Sequence, residues 1–267
     1  VLPVALTTTL WAVIHEAIHG GLHPNRRWND RLGRALCIVF GSPFQLLRLG
    51  HLMHHRHNRS PINRIEVRAA PEAPPSRGVY YVRLLGGLYL GEVLAAPLAI
   101  LPARFCGPIM KLAFGDEAPD GRTMWEGARR QLLEQPGRNR MRLDGLLITL
   151  VFTAAFLLYG PHWWMLASAL VGRAFLISFF DNVYHYRAPL DDVMGGHDLR
   201  VPAYASVLFL NFNFHATQHR TPDTPWTALP EAFARHGGQF DDDLLPAALR
   251  QLEGPLPAQI LPSGGKG

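Results

Sequence analysis

The chain has 267 residues, 48% of them hydrophobic, and a formal net charge of +5, which allows one sizeable core. Its two cysteines, Cys37 and Cys106, are too few for a disulfide framework or a cysteine-based zinc site. The positive charge comes almost entirely from arginines that adjoin apolar segments. This pattern argues against nucleic acid as a partner and favours a membrane protein with arginines on its cytoplasmic side.

The first apolar segment, residues 1–20, is predicted to form a helix. It is apolar on all sides up to His15 and polar afterwards, as expected where a helix leaves a membrane. The sequence starts inside this segment with Val1 and shows no charged signal-peptide region. We therefore expect further N-terminal sequence, including another membrane helix, to precede it.

Two interrupted apolar segments are predicted to remain on one side of the membrane. Residues 33–49 contain a Gly-Ser-Pro break and are expected to lie at the interface. Residues 84–103 are long enough to span, but Glu92 and two prolines favour a re-entrant or interfacial segment. A single crossing here would place the arginine-rich stretches 26–68 and 104–142 on opposite sides, against the positive-inside bias.

The longest uncharged part of the chain is predicted to be a helical hairpin that crosses the membrane and returns. Its legs are residues 145–159 and 162–181, and Gly160-Pro161 separates them. Two tryptophans follow the turn, where an aromatic belt is expected. Residues 227–267 are polar and are predicted to form a C-terminal cap or tail.

Most of the thirteen histidines fall in clusters with helical spacing. Side chains at positions i, i+3 and i+4 lie on one face of a helix, so two imidazoles one turn apart can bind one metal. In the predicted topology all clusters emerge on the same side of the membrane and can converge. The clusters are His15 and His19; His51, His54 and His55; Asn182 and His185; and His215, Gln218 and His219.

The number of clustered histidines predicts two metal ions rather than one. Seven or eight imidazoles exceed the four to six ligands that one ion takes, and imidazole suits iron, zinc, copper and nickel. Iron is the natural choice for oxygen chemistry beside a hydrocarbon, although the ligand types alone do not distinguish it.

Four segments resemble the histidine boxes of the membrane fatty acid desaturase superfamily, over residue 15 to about residue 226. They are HEAIHG (15–20), HLMHH (51–55), DNVYHY (181–186) and NFNFHATQHRTPDTPW (211–226). The resemblance implies an all-α integral membrane protein in which residues 1–267 form a single membrane-embedded domain. Transmembrane helices and interfacial helices would carry a cytosolic histidine-box di-iron cap.

The same resemblance implies the cofactors, partners and location. We expect two non-haem iron ions, O2 as co-substrate, a lipid or acyl substrate, and electrons from a ferredoxin or cytochrome b5-like donor. The protein is expected in the inner, cytoplasmic membrane, with the active site facing the cytoplasm. By resemblance, the metal ligands are His15, His19, His51, His54, His55, His185, His215 and His219.

One position departs from the family pattern. The third box of the family has a histidine where this chain has Gln218, so the ligand at this position differs. An amide can offer an oxygen, hold a water ligand or remain unbound. The residues predicted to support the ligands or bind weakly are Gln218, Asn182, Glu16, His23 and His57.

Two other classes of function also fit part of the sequence. His15-Glu16-x-x-His19 matches the HExxH pattern of zinc proteases, and Leu143-Asp144-Gly145 resembles the aspartate motif of intramembrane proteases. That interpretation leaves the other clusters unexplained. A metal transporter or sensor would need polar residues inside its spans, and residues 145–172 carry no charge. Within the oxygenase class, desaturation is slightly favoured over hydroxylation or ketolation.

Overall fold

A computed structural model describes residues 2–70, 73–115 and 124–264 of the chain; Val1 and parts of the arginine-rich stretches lie outside these residues. The described chain is mainly helical. Its α-helices are α1 (Leu2–Ala5), α2 (Thr7–His19), α3 (Arg26–Phe40), α4 (Phe44–His57), α5 (Arg77–Val82), α6 (Leu88–Ile100), α7 (Ala103–Phe114), α8 (Met124–Ala128), α9 (Gly137–Tyr159), α10 (Trp163–Asp181), α11 (Ala203–Leu208), α12 (His215–Arg220), α13 (Leu229–Arg235) and α14 (Leu244–Arg250).

Short strands and tight helical turns connect these helices. The strands are β1 (Val67–Arg68), β2 (Leu199–Arg200), β3 (Asp242–Asp243) and β4 (Leu256–Pro257), and they pair in parallel as β1 with β4 and β2 with β3. The π-helical turns are Arg83–Gly87 and Arg129–Leu133, and the 3-10 turns are Gly160–His162, Trp226–Ala228, Gln251–Glu253 and Ala258–Ile260.

The predicted break in the second apolar segment is confirmed, but the helices extend beyond that segment. α3 and α4 meet at the Gly-Ser-Pro sequence with a bend of 102°. Gly41 ends α3 in the left-handed region, where a side chain would be strained. α3 begins well before the apolar run because the Asn25 side chain accepts hydrogen bonds from the backbone N–H groups of Arg27 and Trp28 at 3.0 and 3.3 Å.

The predicted helical hairpin is also confirmed. Gly145 on α9 and Ser178 on α10 both contact the short stretch Tyr89–Ala96 of α6. In one straight helix these two residues would lie about 50 Å apart at 1.5 Å per residue, so the chain must reverse between them. α9 starts earlier than predicted because its polar first turns are anchored, for example where Arg138 donates a hydrogen bond to the carbonyl of Leu101.

Among the described residues, two helical stretches are long and apolar enough to cross a membrane, Arg77–Ile100 and the hairpin Gly137–Asp181. The first contains the segment that we predict to remain on one side. Near its start Arg83 pairs with Asp181 at 3.1 Å, and near its end Ala99 packs with Leu49. Both of these partners lie within four residues of a predicted histidine ligand. That the segment remains on one side of the membrane stays a prediction.

The C-terminal residues pack onto the helical body. In α14, Ala247 and Ala248 are buried against Tyr80 and Phe179. The Tyr80 hydroxyl also donates a hydrogen bond to the carbonyl of Gln251 at 2.9 Å. Within the predicted cap, α14 and the following Gln251 are therefore attached to the start of the Arg77–Ile100 stretch and to the end of α10.

Candidate metal centre

The structure gathers the first two histidine clusters into one group. α2 presents two imidazoles one turn apart, and α4 presents two more with the same spacing. The candidate ligand nitrogens all lie within 4.8 Å of one another. We call this group the first histidine group; its members are His15, His19, His51 and His55.

The remaining predicted ligands form a second group. His54 comes from α4, His185 from the turn after α10, and His215 and His219 from α12. Their candidate ligand nitrogens also lie within 4.8 Å of one another. We call these four residues the second histidine group. All eight predicted histidines are thus placed in two groups of four.

α4 joins the two groups. Its i and i+4 histidines, His51 and His55, face the first group, while the intervening His54 faces the second. The groups adjoin where the rings of His55 and His219 stack, with centroids 4.2 Å apart. The spacing of this box therefore allows one helix to serve two neighbouring metal sites.

The contacts between imidazoles fit metal coordination. Within the first group, Nε2 of His51 lies 2.9 Å from Nε2 of His19 and 3.0 Å from Nε2 of His55. A neutral imidazole carries one N–H, so one Nε2 cannot donate to both neighbours. Nε2 of His15 is buried and has no hydrogen-bond partner in the described part of the chain. A cation between these nitrogens would use their lone pairs.

The second group has nitrogen–nitrogen contacts of similar length. In the second group, Nε2 of His215 lies 2.9 Å from that of His185 and 3.1 Å from that of His219. The imidazole nitrogens of each group are therefore close enough together to share one cation.

Burial keeps the second group in its metal-binding form. Desolvation lowers the pKa of His185, His215 and His219 well below the ordinary value, and the charges of neighbouring histidines lower each pKa further. These imidazoles are therefore neutral near pH 7 and keep a lone pair for a metal.

Three residues without a predicted role, Asn63, Asp198 and Thr217, orient the second group. The side-chain amide oxygen (Oδ1) of Asn63 lies 2.8 Å from Nδ1 of His54, so Nδ1 donates the proton and Nε2 is free to bind a metal. The carboxylate of Asp198 accepts hydrogen bonds from the backbone N–H of Thr217 at 3.0 Å and from its hydroxyl at 2.8 Å, which fixes α12. Asn63 and Asp198 lie outside the histidine boxes and no helical spacing links them to a ligand, so the sequence held no signal for them.

Gln218 faces the first histidine group, although its box neighbours on α12 belong to the second. Its Nε2 lies 3.1 Å from Nε2 of His19, while its Oε1 is buried without a hydrogen-bond partner in the described residues. Gln218 can therefore offer the first group a fifth donor atom. Asn182 is buried just before His185, and its Nδ2 likewise has no partner there.

The other predicted supporting residues have different surroundings. Glu16 lies beside His15, and its carboxylate accepts a long hydrogen bond from the backbone N–H of Trp226 at 3.4 Å. Nδ1 of His23 accepts a hydrogen bond from the backbone N–H of Asn25 at 2.9 Å, in the turn before α3. His57 ends α4, and neither His23 nor His57 belongs to a histidine group.

The arrangement disfavours a zinc protease. The HExxH histidines are completed by His51 and His55 rather than by a carboxylate. Asp144, the aspartate of the protease-like motif, instead accepts hydrogen bonds from the guanidinium of Arg34 at 2.8 and 2.5 Å. Its role in the structure is to join α9 to α3.

A cavity of about 640 Å³ reaches both histidine groups. His51 lines it from the first group, and His54, His185 and His215 line it from the second. Much of the remaining wall is apolar and comes from α4, α6, α7 and α10. Both the size and the lining are those of a site for an apolar small molecule. A separate cavity of about 130 Å³ adjoins the first group at His19 and Gln218.

Comparison with known proteins agrees with the histidine boxes. A family model described as fatty acid desaturase matches residues 1–248, which include both histidine groups. No curated protein matches the chain.

Proposed function

We propose that the chain, which belongs to the fatty acid desaturase family, is a membrane di-iron oxygenase that desaturates an aliphatic lipid chain. The observation that carries the proposal is the pair of four-histidine groups that share α4 and line one cavity. Two bound irons would supply O2 activation for the cleavage of C–H bonds. Desaturation consumes O2, two electrons and two protons and yields an alkene and two water molecules, so an external electron donor is required.

The residues of the chain bind and orient the reactants. The cavity wall, which includes Trp11 and Phe212, would hold a hydrocarbon segment against His51 and His54 and exclude bulk water. The Asn63 and Asp198 contacts keep the imidazoles of the second group in place. Because the cavity reaches both histidine groups, one methylene segment of the substrate would lie beside both of them.

We also propose that the histidine groups face the cytoplasm from the inner membrane. The arginine distribution supports this orientation. Single cysteines in place of the exposed residues Arg56 and Arg129, on either side of the Arg77–Ile100 stretch, should react with an impermeant reagent from the same face. Labelling from opposite faces would contradict the proposed topology.

An acidic ferredoxin or a cytochrome b5-like protein is the proposed electron donor. Exposed arginines flank the histidine boxes at Arg26, Arg27, Arg56 and Arg220. The sequence suggests that Arg59 belongs with them, but it is 1% exposed and pairs with Glu66, so it cannot attract a partner. Arginines on this surface would steer an acidic partner towards the histidine groups.

Lipid analysis of cells that express the full chain tests the proposal. A new double bond in membrane acyl chains supports desaturation, whereas a new hydroxyl or keto group identifies the related reactions. The variants His19→Ala and His215→Ala, one from each group, should abolish the product. A lipid profile identical in cells expressing the original chain and either variant would contradict the proposal.

A further inference from the structure

One carboxylate interrupts the apolar face that α6 presents to the large cavity. Leu88, Ala95 and Ala99 line the cavity from the same side of the helix as Glu92. Residues three, four and seven positions apart share a helix face, so Glu92 is directed into the cavity with these side chains. A hydrocarbon alone gives no reason for an ionisable group at this position.

One oxygen of the Glu92 carboxyl group has no hydrogen-bond partner among the residues that the structure describes. This oxygen, Oε2, is buried. The charged groups that act on it most strongly are Asp181 and Arg83, which pair with each other at 3.1 Å. A buried carboxyl group normally receives hydrogen bonds, so the position favours a ligand that supplies one.

We propose that Glu92 recognises a hydrogen-bond donor, a hydroxyl or an amine, on the long-chain substrate. The inference rests on the proposed function because it takes the large cavity as the substrate site. The ionised carboxylate of Glu92 only accepts hydrogen bonds, and so does an acyl ester or thioester, so such a ligand would leave Oε2 unsatisfied. Glu92 would therefore favour long chains that carry a hydroxyl or amino group over plain acyl chains.

Binding of two matched probes to the iron-loaded protein in detergent, at an alkaline pH that ionises Glu92, tests the proposal. Octadecan-1-ol carries a donor, while octadecyl methyl ether has a similar chain but only accepts hydrogen bonds. We expect the alcohol to bind about tenfold or more tightly than the ether, as for a hydrogen bond to a charged group. Octadecylamine should share this preference.

Substitutions connect the preference with the side chain. Glu92→Leu should reduce the difference between alcohol and ether to less than about twofold by weakening alcohol binding. Glu126→Leu, at an exposed position on α8 that does not line the cavity, is the matched control and should keep the preference.

The outcomes separate the two proposals. Equal binding of both probes, or a preference that survives in Glu92→Leu, overturns the role of Glu92 and leaves the lipid cavity supported. Failure of all probes to bind at the cavity overturns both, because the proposed function requires a long chain there. A preference that is lost only in Glu92→Leu supports both.

Discussion

Replacing Gln218 by leucine should weaken one metal site and leave the fold intact. The substitution removes the 3.1 Å contact with Nε2 of His19, whose net contribution to folding is about 1 kcal/mol. It also removes the buried, unpartnered Oε1, which costs about 1–3 kcal/mol to keep. The two effects oppose each other, so the free energy of unfolding should change by no more than about 1–2 kcal/mol.

Metal affinity should respond differently. If His19 gives its Nε2 lone pair to a metal, it can no longer accept a hydrogen bond from the Gln218 amide. The amide can then turn and present Oε1 to the first group. Loss of such a supporting contact typically lowers metal affinity about 10- to 100-fold, and only the first group should be affected. Gln218→His should keep both irons and alter the turnover rate.

Iron binding in competition with a chelator, together with turnover, measures these effects in purified protein. Gln251→Leu is a useful control, because Gln251 is buried and donates a hydrogen bond to the carbonyl of Phe179 at 2.9 Å but belongs to neither histidine group. It should lower stability without changing iron affinity. If Gln218→Leu matches the original chain in both iron affinity and turnover, Gln218 is only a spacer in the box.

Three further predictions concern the supports of the site and its donor. Thr217→Val removes one hydrogen bond to the Asp198 carboxylate and should lower the iron occupancy of the second group, as measured by elemental analysis. Thr217→Ser keeps the hydroxyl and should keep the iron occupancy of the original chain. Glu66→Gln leaves the buried guanidinium of Arg59 without its counter-charge, so the free energy of unfolding should fall by about 3–5 kcal/mol in a denaturation assay. Glu253→Gln removes the charge of an exposed ion pair and should cost about 1 kcal/mol or less. Turnover with an acidic ferredoxin should fall as salt rises from about 0.01 to 0.15 M, and a salt-independent rate would count against electrostatic steering.

Helical spacing was sufficient to predict which histidines could share a face, and the hydropathy pattern located the hairpin. The i, i+4 pairs on α2, α4 and α12 each lie within one group. Spacing alone could not assign His54 to a different group from His51 and His55, because that assignment depends on how α4 lies between α2 and α12. Tertiary packing decides it.

The contacts that support the histidines also depend on tertiary packing, so sequence patterns could not predict them. Asn63 and His54 are joined across a turn, and Asp198 reaches Thr217 from 19 positions earlier in the chain. For Arg59, the sequence led to a wrong prediction of its exposure to solvent. Its charge and its position after the second box suggested an exposed residue, but two backbone carbonyls and Glu66 enclose it.

The metal content of the purified protein distinguishes a di-iron site from a single-zinc site. Two separate groups of four histidines predict two irons per chain. His19→Ala and His215→Ala, one from each group, should each lower that number. One zinc per chain and no iron would contradict the di-iron account and revive the protease interpretation of His15 and Glu16.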